Sequence, residues 1–225
     1  MAVAHSALIR QTDQIAMPAT TAEMPPLIRR LGAGVRDVME LRALPAPVAR
    51  FQWRARRLAR HLGDRFSLAS ATRPADLAVL LELADGRRRV VELGTATAWT
   101  AISLALADPL RLLTTYDPVT QPLRERYLAL AQPRARRQIE LVGGPGLAGP
   151  RDRDPIELLY IDSSHEREQT IAELHAWRPA LAPGAFVIFD DYVHPAFPGV
   201  REAIAELGLE GELRGTLFVH RPSAS

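Results

Sequence analysis

The chain has 225 residues, a formal net charge of +2, and neither cysteine nor lysine. Without cysteine there can be no disulfide, thiolate zinc site or cysteine nucleophile, and without lysine no Schiff-base or P-loop chemistry. The length suits one α/β domain with an ample core and a small appendage.

Residues 1–25 are rich in Ala, Thr and Pro and show no clear period, so they are expected to be partly disordered. The opening MAVAHSALIRQTDQ lacks the cationic start and apolar stretch of a secretory signal. No apolar run approaches the roughly 18 residues of a membrane span. These features predict a cytoplasmic protein with no membrane contact. Leu27, Ile28, Leu31, Val35, Val38 and Met39 recur at helical spacing. After Pro45 and Pro47, a second amphipathic helix is carried by Val48, Phe51, Ala55, Leu58 and Leu62. Arg54, Arg56, Arg57 and Arg60 lie on its other faces and read as a solvated surface. With Phe51 and Trp53 as its main aromatics, it makes a thin platform for nucleic acid. A third helix is expected to open with Thr72 as cap and Pro74 in the first turn, and to end at Asp85-Gly86. Residues 1–70 are therefore set apart from residues 71–225, as an acceptor cap or an oligomer contact.

From residue 88 short apolar runs alternate with helical ones. Strands are predicted at 89–93, 112–116, 138–142, 156–161 and 185–189. Helices are predicted at 98–107, after Pro122, from His165 to Trp177 and at 200–207. A closing hairpin, 210–213 and 216–219, turns at Arg214-Gly215. This alternation predicts βαβ units and a Rossmann-like, mostly parallel seven-stranded sheet with an antiparallel terminal hairpin.

In such a sheet ligands sit beyond the carboxyl ends of the strands. Those ends carry Glu92 and Gly94, Asp117, Asp162 and His165, and Asp190 with Asp191. Acids gathered at one rim repel one another unless a cation or donor groups occupy it. Gly94 lets backbone approach a ligand closely. Asp117 follows Glu92 by about 25 residues, where dinucleotide folds place a ribose-binding acid. Together they suggest an adenosine-containing cofactor. NAD is disfavoured because Ala96 and Ala98 replace the glycines that admit a pyrophosphate. Asp162, Asp190 and Asp191 are oxygen ligands suited to Mg²⁺, Ca²⁺ or Mn²⁺ rather than zinc. Ser163-Ser-His-Glu166 also reads as a capping box, with the helix starting at Ser163 and His165 in its first turn. His175 reads as structural, and His194 as a residue near the rim.

The stretch from Arg89 to Val219 resembles the class I S-adenosylmethionine-dependent methyltransferases. "VVELGTATAW" is similar to their first motif and "LLTTYD" to their ribose-binding motif. "ELLYIDSSH" and "APGAFVIFDDY" resemble the metal-dependent O-methyltransferases, nearest the branch of macrolide-sugar O-methyltransferases and cephalosporin-hydroxylase-type proteins. The resemblance implies that residues 71–225 bind S-adenosyl-L-methionine. It implies that Glu92, Gly94 and Thr95 contact its methionine end, Asp117 its ribose, and that Gly144 lies near the adenine. It implies a Mg²⁺ or Mn²⁺ site at Asp162, Asp190 and Asp191, and His165 as the base. The catechol-type branch carries lysine at the position of His165, and this chain has none. The implied reaction is methyl transfer to a hydroxyl of a small molecule, a sugar or another natural product. A metal-independent methyltransferase, a non-catalytic cofactor-binding relative and an RNA-acting one remain alternatives.

Overall fold

The structure is a computed structural model, and it describes residues 39–222. The region of 1–25 and the helix expected from Leu27 to Val38 lie outside the described residues.

The first long helix, α1 (Ala46–Leu62), buries Val48, Phe51, Ala55 and Ala59 along one stripe and ends at Gly63 in the left-handed conformation. Short α2 (Arg65–Ser70) follows, capped by Asp64, whose side chain accepts from the Ser67 N–H. Next come α3 (Pro74–Leu83), β1 (Arg89–Leu93), α4 (Trp99–Ala107) and β2 (Leu112–Asp117). Two short helices, α5 (Arg124–Leu128) and α6 (Pro133–Arg137), stand where one was expected after Pro122, and Pro133 starts the second. Then come β3 (Ile139–Gly143), β4 (Ile156–Ile161), α7 (Arg167–Trp177), β5 (Leu181–Phe189), α8 (Pro198–Glu206), β6 (Gly211–Arg214) and β7 (Leu217–His220).

The seven strands form one sheet in the order β3-β2-β1-β4-β5-β7-β6. β1 to β5 pair in parallel, and β7 enters antiparallel between β5 and β6. This is the expected mostly parallel seven-stranded architecture with its terminal antiparallel hairpin. Alternate residues of the central strands feed two cores. Val90, Leu113, Leu158, Tyr160, Phe186 and Ile188 pack with α1, α3 and α4. Val91, Leu93, Leu159, Ile161, Val187 and Phe189 pack with α7 and α8 on the other face. Both sheet faces are thus covered, which parallel strands require. Among the described residues no helix is long and apolar enough to cross a membrane.

Two helix starts differ from expectation. α3 is capped by Arg73, with Pro74 first in the helix. Thr72 Oγ1 instead lies 2.9 Å from Thr100 Oγ1 and 3.3 Å from the Tyr160 hydroxyl. α7 begins at Arg167, after Glu166, and not at Ser163. Ser163 Oγ donates to Glu173 Oε2 at 2.6 Å, so the expected capping bond is not made.

At the foot of the sheet, Arg111 is almost fully buried. Its guanidinium donates to the carbonyls of Leu104 (2.6 Å), Arg87 (3.2 Å) and Ala84. One side chain therefore ties the end of α3, where Ala84 O also accepts from Arg87 N (3.1 Å), to the open Leu104 carbonyl in the last turn of α4.

Candidate active site

Register sets the site. Leu93 pairs with both Tyr116 and Ile161, and Ile161 pairs with Phe189. The strands therefore run out at one level, and the next residues emerge side by side. The backbone ladder continues one step: Gly94 N donates to Tyr116 O, Asp162 N to Leu93 O, and Asp190 N to Ile161 O, at 2.8–3.0 Å. Gly94, Asp117, Asp162 and Asp190 thus come to the mouth of one cavity of about 770 Å³. Asp191, His165 and His194 line it as well. That volume lies in the range of small-molecule and cofactor sites.

Gly94 has φ +104, and a Cβ there would stand 1.8 Å from the Asp162 carbonyl oxygen. No side chain fits, so the turn after β1 presses directly on the end of β4. Ala96 and Ala98 occupy the left-handed region (φ +43 and +67), as do His165 (φ +61) and Asp191 (φ +54). These are all the non-glycine residues with positive φ among the described ones; three line the cavity, and Ala98, buried, caps α4 behind the same turn. Such conformations cost about 1–3 kcal/mol each and persist where the surroundings hold them.

Asp117 is nearly buried, and its carboxylate organises the first turn. Oδ2 accepts from Ala96 N (2.8 Å) and Arg124 Nη2 (3.0 Å), and Oδ1 from Val119 N (2.7 Å). Arg124 also donates to the carbonyls of Ala96 and Val119, both at 2.7 Å. Glu92 and Thr95 lie beneath this turn rather than on the cavity wall. Glu92 accepts from Thr115 Oγ1 at 2.5 Å, and Thr95 Oγ1 lies 2.7 Å from Thr115 Oγ1. Burial pushes the Glu92 carboxyl up to about 8, with Asp162 and Asp117 adding to the shift against the Thr115 hydrogen bond. Gly144 donates its N–H to the Asp117 carbonyl (3.1 Å), and the two residues after it, Pro145 and Gly146, line the cavity.

At the other side of the rim stand Asp162, Asp190, Asp191 and His165. His165 Nε2 lies 3.3 Å from Asp162 Oδ1 and 3.6 Å from Asp191 Oδ2. It is buried, and neither contact is aligned as a hydrogen bond. Burial alone would lower its pKa, but Asp162, Asp191 and Asp190 outweigh it and the net shift is upward. Asp162 is shifted upward too, by burial first. Asp190 is pushed up to about 8 by burial and by Asp162 and Asp191. Tyr160, which reads in the sequence as one more strand residue, donates its hydroxyl to Asp190 Oδ2 at 2.9 Å and lies 3.4 Å from Asp162 Oδ2. It ties two strand-end carboxylates together.

The His165 ring is fixed from outside. Phe197 stacks on it at 4.6 Å, and His194 stacks on Phe197 at 4.7 Å. A Cβ on Gly199 would fall 2.6 Å from the His165 carbonyl oxygen and from Arg167 N. The start of α8 therefore packs against the backbone that carries the imidazole.

The donor set fits a hard divalent cation in kind: three carboxylates from adjacent strand ends, of which Asp162 and Asp190 are held toward the protonated form by burial and neighbouring negative charge. As placed, the group is not a ready-made cage. Among the described residues no three His, Cys, Asp or Glu side chains converge as a metal site, and His165 stands against Asp162 and Asp191.

Residues 91–192 match the family model described as a methyltransferase domain. Three solved structures share the fold. The TDP-rhamnose 3′-O-methyltransferase CalS11 of calicheamicin biosynthesis has a TM-score of 0.53 and 20% identity, over 89% of this chain and 96% of that one. The O-methyltransferase TomG from Streptomyces achromogenes, involved in tomaymycin synthesis and solved with S-adenosylmethionine, has 0.51 and 21%, over 68% and 82%. Cofactor-bound Rv0187 from MTB has 0.55 and 19%, over 87% and 91%. No curated protein matches the chain. The fold is that of the class I methyltransferases. The chain shares their fold, and the stretch that matches the methyltransferase-domain model spans β1 to the end of β5.

Proposed function

We propose that this chain is an S-adenosylmethionine-dependent O-methyltransferase acting on a hydroxyl of a small molecule. The observation that carries the reading is the joint rim. The turn built by Gly94, Ala96 and Asp117 and the cluster of His165, Asp162, Asp190 and Asp191 open into one cavity. Three similar folds named as O-methyltransferases or solved with a bound cofactor support it.

In this reading the Gly94 turn carries the methionine end of the cofactor, and Asp117 takes the ribose hydroxyls with the oxygen lone pairs its present partners leave. Glu92 and Thr95 act from below, by fixing the turn through Thr115. Pro145 and Gly146, beside Gly144, border the adenine. Methyl transfer is an in-line displacement at the sulfonium carbon, so most of the protein's work is holding donor and acceptor in line. A hydroxyl must lose its proton as the new bond forms. His165 Nε2 takes it, held by the Phe197 stack and the carboxylates around it. Asp162, Asp190 and Asp191 would hold a divalent cation. Such a cation makes a coordinated hydroxyl more acidic and neutralises the crowded carboxylates. The 65–73 segment supplies Phe66, Ala69, Ser70 and Thr72 to the cavity wall, which fits an acceptor-side role for that stretch. The TDP-rhamnose named for one similar fold, and the tomaymycin synthesis named for another, support a sugar or natural-product hydroxyl as the acceptor.

A methyl-transfer assay with labelled S-adenosylmethionine over a panel of sugar and phenolic hydroxyls tests this. Turnover is expected with Mg²⁺ or Mn²⁺, lost on chelation and restored by readdition. Transfer that survives exhaustive chelation would remove the metal from the account. A protein that binds no cofactor would overturn all of it.

A further inference from the structure

The cavity wall holds one arginine against six carboxylates among the described residues. That arginine is Arg73, on the segment between α2 and α3. Its Nε donates to Asp76 Oδ2 at 2.8 Å. Asp76 is itself buried, accepting from Thr216 N on Oδ1 (2.9 Å) and from Thr216 Oγ1 on Oδ2 (2.8 Å). The adjoining turn closes on Asp76 only because Gly215 has no side chain: a Cβ there would lie 2.1 Å from Oδ1. Asp76, itself fixed by the turn between β6 and β7, thus holds the Nε edge of the guanidinium. Its side chain is 61% exposed, and its two Nη groups have no partner among the described residues.

The placement relative to the chemistry is also fixed. Thr72, the residue before Arg73, lies 3.3 Å from the Tyr160 hydroxyl, and that hydroxyl donates to Asp190 at 2.9 Å. Two contacts therefore link the Arg73 backbone to the strand-end carboxylates. A planar guanidinium pinned at Nε and open at both Nη groups presents a fork that matches carboxylate or phosphate. Among the described residues no other arginine lines this wall, and carboxylates such as Asp117 and Asp191 disfavour an anionic part of a bound molecule away from Arg73.

Resting on the methyl-transfer reading above, we propose that Arg73 determines acceptor specificity by reading an anionic group, carboxylate or phosphate, on the molecule that carries the hydroxyl. Asp76 and Thr216 are its positioning residues.

The test uses the full chain saturated with S-adenosylhomocysteine and two matched probe pairs: L-rhamnose 1-phosphate with L-rhamnose, and 3,4-dihydroxybenzoate with catechol. The charged member of at least one pair is expected to bind at least about tenfold tighter, the usual worth of a charge-assisted hydrogen bond. The pair that responds distinguishes phosphate from carboxylate. Arg73→Gln is expected to erase that preference and leave homocysteine-cofactor affinity unchanged, and Arg73→Lys to keep part of it. Absence of any charged-probe preference in the parent overturns the proposal. So does a preference that survives Arg73→Gln, including the case where the variant only lowers the melting temperature. Failure of the parent to bind S-adenosylhomocysteine overturns the methyl-transfer reading, and this inference with it.

Discussion

His165 Nε2 stands 3.3 Å from Asp162 Oδ1, although only two residues separate them at the end of β4. The chain achieves this by holding His165 at φ +61, before α7 starts rather than inside it. A helix beginning at Ser163 would have carried the imidazole on its first turn. The left-handed backbone instead turns the ring against the carboxylates, and Phe197 and Gly199 hold it there.

If His165 is the base, His165→Ala lowers kcat by roughly 10²–10⁴, the usual size of general-base catalysis. His165→Gln does the same, because an amide hydrogen-bonds but accepts no proton at neutral pH. Affinity for S-adenosylhomocysteine stays nearly unchanged in both. Steady-state kinetics beside calorimetry checks this. Turnover of His165→Ala within about threefold of the parent would place the base elsewhere.

Glu92 gives a pH dependence of known sign. Its folded pKa is about 8, against an ordinary value of 4.5. The folded chain therefore binds this proton more tightly than the unfolded one. The stabilisation is complete below about 4.5 and is lost as pH rises through about 8. Glu92→Gln keeps an acceptor for Thr115 and cannot ionise. Its melting temperature is expected to fall less steeply than the parent's between pH 5 and pH 8, and parallel slopes would contradict the assignment.

Arg111 carries a stability prediction away from the site. Arg111→Met leaves the carbonyls of Leu104 and Arg87 without the guanidinium donor, while Ala84 keeps the Arg87 N–H (3.1 Å). At about 1–3 kcal/mol for each of two unsatisfied groups, the total loss is expected to reach at least about 2 kcal/mol in urea unfolding. A loss under about 1 kcal/mol would mean that water replaces the guanidinium.

The strand positions were legible because β1 and β4 are short apolar runs that end in a glycine or an acid. The rim acids Asp117, Asp162, Asp190 and Asp191 could be read for the same reason: a carboxylate closing such a run has nowhere to go but the sheet's end. Side-chain partnerships were not legible. Tyr160 looks like any residue of "LLYID", and its link to Asp190 depends on the register of β4 with β5. Thr72 carries the marks of a helix cap, yet the neighbouring Thr100 and Tyr160 hydroxyls hold its side chain. Ser163 likewise meets every local condition for a capping box, but Glu173, one element away, takes its hydroxyl. Arg124 is one of many arginines in the sequence, and its grip on Asp117 follows only from how α5 folds over the first turn. Ala96 and Ala98 read as lost glycines, whereas the backbone keeps glycine-like angles at both.

The claim that joins these observations is that the Gly94–Asp117 turn is a cofactor site. Calorimetric titration of the chain with S-adenosylhomocysteine tests it most directly. The account predicts one-to-one binding, weakened in Asp117→Ala by about 1.5–3 kcal/mol, the loss of charge-assisted hydrogen bonds. Absence of binding by the unmutated chain, or equal binding by Asp117→Ala, would contradict it.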